Sequence, residues 1–134
     1  MNHLDFGVIS FTTFDEASFT ATLIGLTSGV AGGALLVADV SGQVAGMAAC
    51  VVFPFYANMN TKIGQEVFFW VNPDHRGAVG EALLDELENS AMRKGAKVFI
   101  GANLSGEHDA AFARMYRRRG YVPAENTFIR NLSS

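Results

Sequence analysis

The stretch Phe68-Phe69-Trp70-Val71-Asn72-Pro73-Asp74-His75-Arg76-Gly77-Ala78-Val79-Gly80-Glu81-Ala82-Leu83-Leu84 decides how this chain folds. An apolar, aromatic run meets a proline, crosses a short Arg-Gly-x-x-Gly loop and continues as an amphipathic segment, which predicts a strand, a sharp turn and a helix start. The first amides of a helix lack intrahelical acceptors and carry the positive end of the helix dipole, so they attract anions. Glycine lets a ligand approach the backbone closely, and Arg76 adds a fixed positive charge. We therefore predict a phosphate or pyrophosphate site.

The composition is that of one ordinary globular domain. The chain has 134 residues, of which 49% are hydrophobic and 17% charged. These values exclude a disordered chain and predict a single domain over residues 1–134. No apolar run reaches the roughly 18–20 residues of a membrane span, and the N-terminus has no signal-like segment. The single cysteine cannot form an internal disulfide, which favours a cytoplasmic location.

Charge is distributed unevenly along the chain, whose net charge is −3. Residues 1–75 carry six acids and one base, whereas residues 76–134 carry seven acids and nine bases. The asymmetry indicates either two differently solvated surfaces or an anionic ligand bound to the C-terminal half. No nucleic-acid motif accompanies it, so we expect neither nucleic acid nor a membrane as a partner.

Hydrophobic periodicity predicts a chain of both strands and helices. The predicted strands are Phe6–Phe11, Ala34–Val40, Gln43–Phe53, Gln65–Val71, Val98–Leu104 and Tyr121–Leu132, and the predicted helices begin near Asp15, Ala78 and Glu107. Asp15 is a candidate N-cap, and Ser41-Gly42 a two-residue hairpin turn. The segment 53–60, with three aromatic residues and a proline, predicts either a strand end running into a loop or a substrate-side loop. Its aromatics either cover the core or form an exposed recognition or dimerisation surface.

Two blocks resemble the GNAT family of acyl-CoA-dependent N-acetyltransferases. One is the segment 70–84, which is similar to the family's strand, pyrophosphate loop and helix. The other is Met115-Tyr116-Arg117-Arg118-Arg119-Gly120-Tyr121, which is similar to its late Tyr-x-x-x-Gly-aromatic signature. The match is closest to small phage-type members, although the Arg-Gly-x-x-Gly loop is one residue shorter than usual. The resemblance implies a mixed, mostly antiparallel central sheet with a splayed strand pair and helices on both faces, an α/β (α+β) fold.

The resemblance also implies a binding site for acetyl-CoA as co-substrate. The strand ending at Val71 would splay from the next strand, and the pantetheine arm would pair with backbone near Trp70 and Val71. The Trp70 side chain itself would act mainly in packing rather than in contacting the ligand through its ring. The pyrophosphate would lie against the loop and the first helical turn, formed by Arg76, Gly77, Ala78, Val79, Gly80 and Glu81, with the Glu81 side chain pointing outward.

Two residues are candidates for acid–base catalysis. Tyr116 could protonate the departing thiolate, because an ordinary tyrosine, with a pKa of about 10, suits that donation. Glu66 could accept the proton of the amine; by strand parity it shares a face with Phe68 and Trp70. The alternatives are a core aromatic for Tyr116 and a surface or edge position for Glu66. His75 and His108 are rival bases, and neither has a partner at metal-ligand spacing, so no metal is predicted.

The predicted function is transfer of an acetyl group from acetyl-CoA to an amine by direct attack in a ternary complex. No residue pattern indicates a covalent acyl-enzyme, and we interpret Cys50 as a small core residue. The acceptor could be a small-molecule or peptide amine, and the protein could be a homodimer. Two alternatives remain open: a non-catalytic module that binds acyl-CoA, and an interaction protein.

Overall fold

The computed structural model describes residues 14–28, 32–75, 77–102, 109–125, 127, 128 and 130–133. The predicted strand Phe6–Phe11 lies outside these residues. The described residues belong to two compact units. One runs from Asp15 to Gly101, and the other draws on Met1–Phe14 and Ala102–Ser134. Each unit is described by itself below.

Helix α1, Glu16–Thr27, begins where the sequence predicts. The Asp15 side chain caps it by accepting a hydrogen bond from the Ser18 backbone N–H at 3.0 Å, and the Ser18 hydroxyl donates to the same carboxylate. These two bonds hold the pKa of Asp15 below its ordinary value. The cap satisfies a donor that the helix itself cannot.

A four-stranded sheet forms the centre of this unit, in the order β1-β2-β3-β4. The strands are β1 Ala34–Val40, β2 Gln43–Phe55, β3 Asn58–Val71 and β4 Ala96–Ile100. Strands β1, β2 and β3 are antiparallel, and β4 runs parallel to β3. Ser41 and Gly42 connect β1 to β2 with φ of 53° and 82°, the paired positive φ values of a type I′ turn. The predicted two-residue turn is therefore confirmed.

The aromatic segment 53–60 is mostly strand. Phe53 to Phe55 ends β2, Asn58 begins β3, and only Tyr56 and Ala57 form the turn. Pairing between β1 and β2 ends at Cys50, so this tip is an edge, where a strand tolerates Pro54. Of the two predicted alternatives, the structure shows the strand end, which continues to Phe55 and is followed by a turn of two residues rather than a loop. Tyr56 is 87% exposed, so its ring does not cover the core.

Helix α2, Ala78–Arg93, packs the apolar side of the predicted amphipathic segment on one face of the sheet. Leu83, Leu87 and Ala91 join one buried cluster with sheet residues. The sheet residues of that cluster are Ala48, Cys50, Val52 and Val71. On the opposite face, the Phe19 ring of α1 lies 5.7 Å from the Phe68 ring of β3. Helices therefore cover both faces, as predicted.

Strands β3 and β4 pair from Lys62↔Ala96 to Gln65↔Ile100, where β4 ends, whereas β3 continues to Val71. The mixed, mostly antiparallel sheet with helices confirms the predicted fold class. Strand β4 begins two residues earlier than predicted, at Ala96, because Gly95 with φ of 95° ends α2 and turns the chain directly into it.

The C-terminal unit contains helix α3, Asp109–Arg118. The predicted final strand, Tyr121–Leu132, is wrong for the part of that segment which the structure describes, since none of it is strand. Pro123 lacks an N–H for a strand ladder. The side chains of Val122 and Phe128 are exposed, so no second layer stabilises an extended pairing there.

Candidate active site

The N-terminus of α2 presents backbone amides at an open position. Gly77 is the N-cap, with φ 95° and ψ −99°, and it has no side chain with which to cap the helix. The first helical bond runs from the Glu81 N–H to the Gly77 carbonyl at 3.0 Å. The amides of residues 78–80 therefore precede the intrahelical ladder. Apart from its chain neighbours, no atom of the described residues would lie within 4 Å of a Cβ placed on Gly77, so a ligand has room to approach there.

The turn between β3 and α2 is held by its own hydrogen bonds. Asn72 donates its N–H to the Ala45 carbonyl at 2.7 Å. The Asn72 side chain accepts from the Asp74 N–H at 3.0 Å, and its carbonyl accepts from the His75 N–H at 2.9 Å. These bonds form a 3-10 turn over Pro73–His75, which leads the chain from the sheet to Gly77. Arg76 lies outside the described residues.

The predicted loop residues differ in what they can offer a ligand. Ala78 is exposed, Val79 is half-buried against the core, and Gly80 is buried. Val79 can therefore contact a ligand through its backbone but not through its side chain. Glu81 is half-buried, whereas Asp85, one turn later, is exposed.

Because β4 ends at Ile100, the last part of β3 has no described strand beside it on that edge. Pairing with β4 ends at Gln65, while on the other side β2 continues to pair, with Met47↔Trp70 and Gly46↔Val71. Trp70 is half-buried and Val71 is buried. The exposed edge of a sheet is where an extended ligand arm can add as a strand.

A β-bulge changes the position of Glu66. Ala49 pairs with Phe68, but the next residue, Cys50, pairs with Glu66, so Val67 has no register partner on β2. Residues directly opposite in a ladder share a face, so Glu66 lies on the Cys50 face of the sheet and not on the Phe68 face. The parity prediction was wrong because the bulge inserts one residue. The sequence hint is the unbroken apolar run 67–71, in which the alternation of a regular strand is lost.

Cys50 is a buried core residue, as the sequence suggested. Its side chain is fully buried in the cluster beneath α2. Burial raises the pKa of the Cys50 thiol, and the positive charge of Lys94 opposes this with a smaller effect. A protonated, buried thiol is a poor nucleophile.

In the C-terminal unit, the Tyr-x-x-x-Gly-Tyr signature forms a Schellman motif. The Tyr121 N–H donates to the Tyr116 carbonyl at 3.0 Å, the Gly120 N–H donates to the Arg117 carbonyl at 3.1 Å, and Gly120 has φ of 89°. The motif brings the Tyr121 ring to 4.9 Å from the Tyr116 ring. The Tyr116 hydroxyl donates to the Ala102 carbonyl at 3.3 Å, and only 7% of the residue is exposed. The signature thus fixes both the backbone and the ring of Tyr116.

A comparison with protein families matches residues 7–121 to the acetyltransferase (GNAT) family. This chain belongs to the GNAT family. It is an acyltransferase of the N-acetyltransferase class, as predicted from the two sequence blocks. Comparison with curated protein sequences finds no significant match.

Solved structures share the fold of this GNAT acetyltransferase. A Trypanosoma brucei acetyltransferase is 22% identical with a TM-score of 0.68, covering 90% of this chain and 82% of that one. Glucosamine-6-phosphate N-acetyltransferase from Arabidopsis thaliana is 14% identical with a TM-score of 0.70, covering 90% and 81%. The aminoglycoside N-acetyltransferase AAC(6')-Iy, solved with a bisubstrate analogue of CoA, is 12% identical with a TM-score of 0.72, covering 92% and 84%.

The GNAT acetyltransferase brings together only some of its predicted site residues within one unit. Glu66, Trp70, Val71 and the residues of the α2 N-terminus belong to the unit Asp15–Gly101, whereas Tyr116 belongs to the other. His75 is a half-buried residue of the 3-10 turn, and His108 lies outside the described residues. In the described part of the chain, no cluster of three metal-ligating side chains occurs, and no helix is long and apolar enough to cross a membrane.

Proposed function

We propose that this protein binds acetyl-CoA as its co-substrate, with the diphosphate at the α2 N-terminus and the pantetheine arm along the edge of β3 beyond its pairing with β4. The observation that carries the proposal is the adjacency of these two features. Along the chain, only the short turn before Gly77 separates the open amides of α2 from the β3 edge that ends at Val71. From Val71 back to Glu66 the edge extends roughly 17 Å at about 3.4 Å per residue, a length that suits an extended pantetheine arm.

The chemistry we propose is direct attack by an amine on the thioester carbonyl. The C–N bond forms, the C–S bond breaks, and the acetyl group leaves coenzyme A as an amide. Glu66 accepts the proton released by the amine, directly or through water, and Tyr116 donates its phenolic proton to the thiolate. Direct transfer in a ternary complex is supported by the only cysteine, Cys50, being buried and held in its protonated form.

Two properties of the described residues support these roles. Glu66 is half-buried on the sheet where pairing with β4 has just ended, so it lies at the inner end of the proposed pantetheine edge. The Tyr116 hydroxyl donates to the Ala102 carbonyl and the ring packs on Tyr121, so the phenol oxygen is held in place, and the hydroxyl exchanges this hydrogen bond for one to the sulfur when it protonates the thiolate. Preorganised proton donors and acceptors are worth about 10²–10⁴-fold in rate.

The decisive experiment has a binding step and a turnover step. Calorimetry with CoA should give saturable one-to-one binding, and free thiol should appear when acetyl-CoA and a panel of amines are supplied. Binding without thiol release from any amine would favour the alternative of a non-catalytic module. No binding at all would refute the proposal.

Matched variants test the two catalytic roles. Glu66→Gln and Tyr116→Phe should each lower kcat by about 10²–10⁴-fold with little change in CoA affinity. Asp85→Asn and Tyr56→Phe make the same chemical changes at exposed positions and should leave kcat unchanged. A Tyr116→Phe variant with full turnover would remove Tyr116 from the mechanism.

The acceptor we propose is a small-molecule or peptide amine rather than a nucleic acid or a membrane component. In support, solved structures of the same fold carry names that include acetyltransferases of glucosamine-6-phosphate, of aminoglycosides and of ribosomal-protein alanine. We also propose that the chain is a single functional domain of the small, phage-type GNAT kind that acts in the cytoplasm, and that it can form a homodimer. The single cysteine supports the cytoplasmic assignment.

A further inference from the structure

Gly46 of β2 lies where the two parts of the proposed acetyl-CoA site meet. It is buried, and a Cβ added to it would stand 2.8 Å from Leu83 Cδ1, 2.9 Å from the Trp70 carbonyl oxygen and 3.3 Å from Val79 Cγ1. Contacts below 3.0 Å do not occur for real Cβ atoms, so something must move if a side chain is introduced. One of the two closest atoms is backbone, which cannot change rotamer to make room.

These neighbours belong to both halves of the site. Val79 and Leu83 lie in the first two turns of α2, directly behind the open amides. The Trp70 carbonyl lies in the last part of β3, next to Val71, which is the ladder partner of Gly46. Beside them, the Asn72 N–H bonds the Ala45 carbonyl at 2.7 Å and ties the end of β3 to β2. The missing side chain at Gly46 thus permits the end of β3 and the start of α2 to approach the same point.

We propose that Gly46 is a positioning residue for acetyl-CoA: it sets the distance between the α2 amides and the β3 edge, so that one ligand reaches both. The inference rests on the proposed function. A ligand with two linked binding parts gains affinity only when the two subsites are spaced to match it. A displacement near 1 Å can cost about 10²-fold in a reaction that depends on alignment.

A second close contact of α2 provides a matched control. A Cβ on Gly64 of β3 would stand 2.9 Å from Ala91 Cβ and 3.0 Å from Phe99 Cδ2. Ala91 lies in the last turn of α2, at the opposite end from the open amides. Gly64→Ala therefore overpacks the same helix on the same sheet at the end away from the open amides; because Gly64 lies two residues before Glu66, the comparison uses CoA affinity and melting temperature, not turnover. If Gly46 matters only for packing, the two variants should behave alike.

The experiment measures an intact ligand against its two parts. For Gly46→Ala, Gly64→Ala and the unmodified protein, calorimetry should determine Kd for CoA, for pantetheine and for 3'-phosphoadenosine 5'-diphosphate, which keeps the diphosphate proposed to bind the α2 amides. We expect Gly46→Ala to raise Kd for CoA by about tenfold or more while each part stays within about threefold of its original Kd. Gly64→Ala should lower the melting temperature by a similar amount and keep its CoA affinity.

The opposing outcomes are distinct. CoA binding by Gly46→Ala that equals the original, or an equal loss for CoA and for both parts, would overturn the positioning role. Equal CoA loss in Gly64→Ala would overturn it as well. If the unmodified protein does not bind CoA, the proposed function itself fails, and this result is visible before any variant is made.

A double variant covers the possibility that Gly46→Ala does not fold. Adding Leu83→Ala removes the nearest side-chain atom, so Gly46→Ala/Leu83→Ala should recover part of the CoA affinity relative to Gly46→Ala, or take its place in the assay. Leu83→Ala alone is the reference for the double variant. If neither Gly46→Ala nor Gly46→Ala/Leu83→Ala yields folded protein, Gly46 is required by the fold itself, and the positioning role is overturned.

Discussion

Replacing Gly77 with alanine tests whether the loop needs its unusual backbone. Gly77 has φ 95° and ψ −99°, a region that L-residues rarely adopt, yet a Cβ there would meet no atom of the described residues within 4 Å apart from its chain neighbours. The cost of Gly77→Ala is therefore backbone strain, of about 1–3 kcal/mol. Alanine also restricts the unfolded chain, which offsets about 0.4–1 kcal/mol of that cost. The difference spans about 0–2.6 kcal/mol, and the middle of that range, about 1–2 kcal/mol, is the net penalty that we expect.

That penalty must appear in one of two measurements. If the loop keeps its conformation, stability falls by about 1–2 kcal/mol in urea denaturation, and CoA affinity is unchanged. If the loop relaxes, stability is retained, but CoA binding must restore the strained conformation, so Kd rises about five- to thirtyfold. The two losses, measured by denaturation and calorimetry on the same samples, should sum to the same value.

Gly25→Ala is the control for this prediction. Gly25 lies inside α1, and a Cβ there would also meet nothing within 4 Å, but its φ is not positive. The change should stabilise the protein by about 0.4–1 kcal/mol and leave CoA binding unaltered. A Gly77→Ala variant with unchanged stability and unchanged CoA affinity would refute the argument that this loop requires glycine.

Three further predictions concern packing, pH and thiol reactivity. Leu87→Ala, at a fully buried position of α2, should cost about 2–5 kcal/mol in urea denaturation, whereas Met92→Ala, 60% exposed on the same helix, should change stability by less than about 0.5 kcal/mol. Because Ser18 lowers the pKa of Asp15, the carboxylate stabilises the fold above its ordinary pKa and loses this effect as pH falls through the lowered value. The difference in melting temperature between the original protein and Asp15→Ala should therefore shrink in acid. Cys50 should resist iodoacetamide in the folded protein and react fully in urea, as mass spectrometry would show; rapid labelling of folded protein would contradict its burial.

Elements with local signals were predictable from the sequence. Asp15 caps α1 through a side chain three residues from its donor partner, and Ser41-Gly42 adopts positive φ as a two-residue hairpin turn requires. Gly95 and Gly120 end helices α2 and α3 with positive φ. In each case the determining interaction lies within a few residues. For the same reason the α2 N-terminus, which is the anion-binding part of the candidate site, could be located from its glycines.

Strand pairing was less predictable. Segment 53–60 is the tip of the β2–β3 hairpin, where Phe55 pairs with Asn58 and Pro54 with Lys62; these partners are near in sequence, but the proline and the register shift at this tip hide the pairing. The segment Tyr121–Leu132 has apolar residues at strand-like spacing, but no described partner makes it a strand. A strand exists only when another strand supplies the opposite half of its hydrogen bonds. The pattern along one chain is therefore weaker evidence for strands than for helices.

The bulge at Val67 determines which face of the sheet carries the proposed base, Glu66. Without it, strand parity would put Glu66 on the face of Phe68, whose ring packs against Phe19 of α1. With it, Glu66 lies on the face of Cys50, at the first position after pairing with β4 ends at Gln65. One short interval of β3 thus holds the proposed base, the bulge and the start of the edge that we assign to the pantetheine arm. A strand of regular alternation would present Glu66 on the face where α1 packs, which is why we place the acyl transfer at the irregular part of β3.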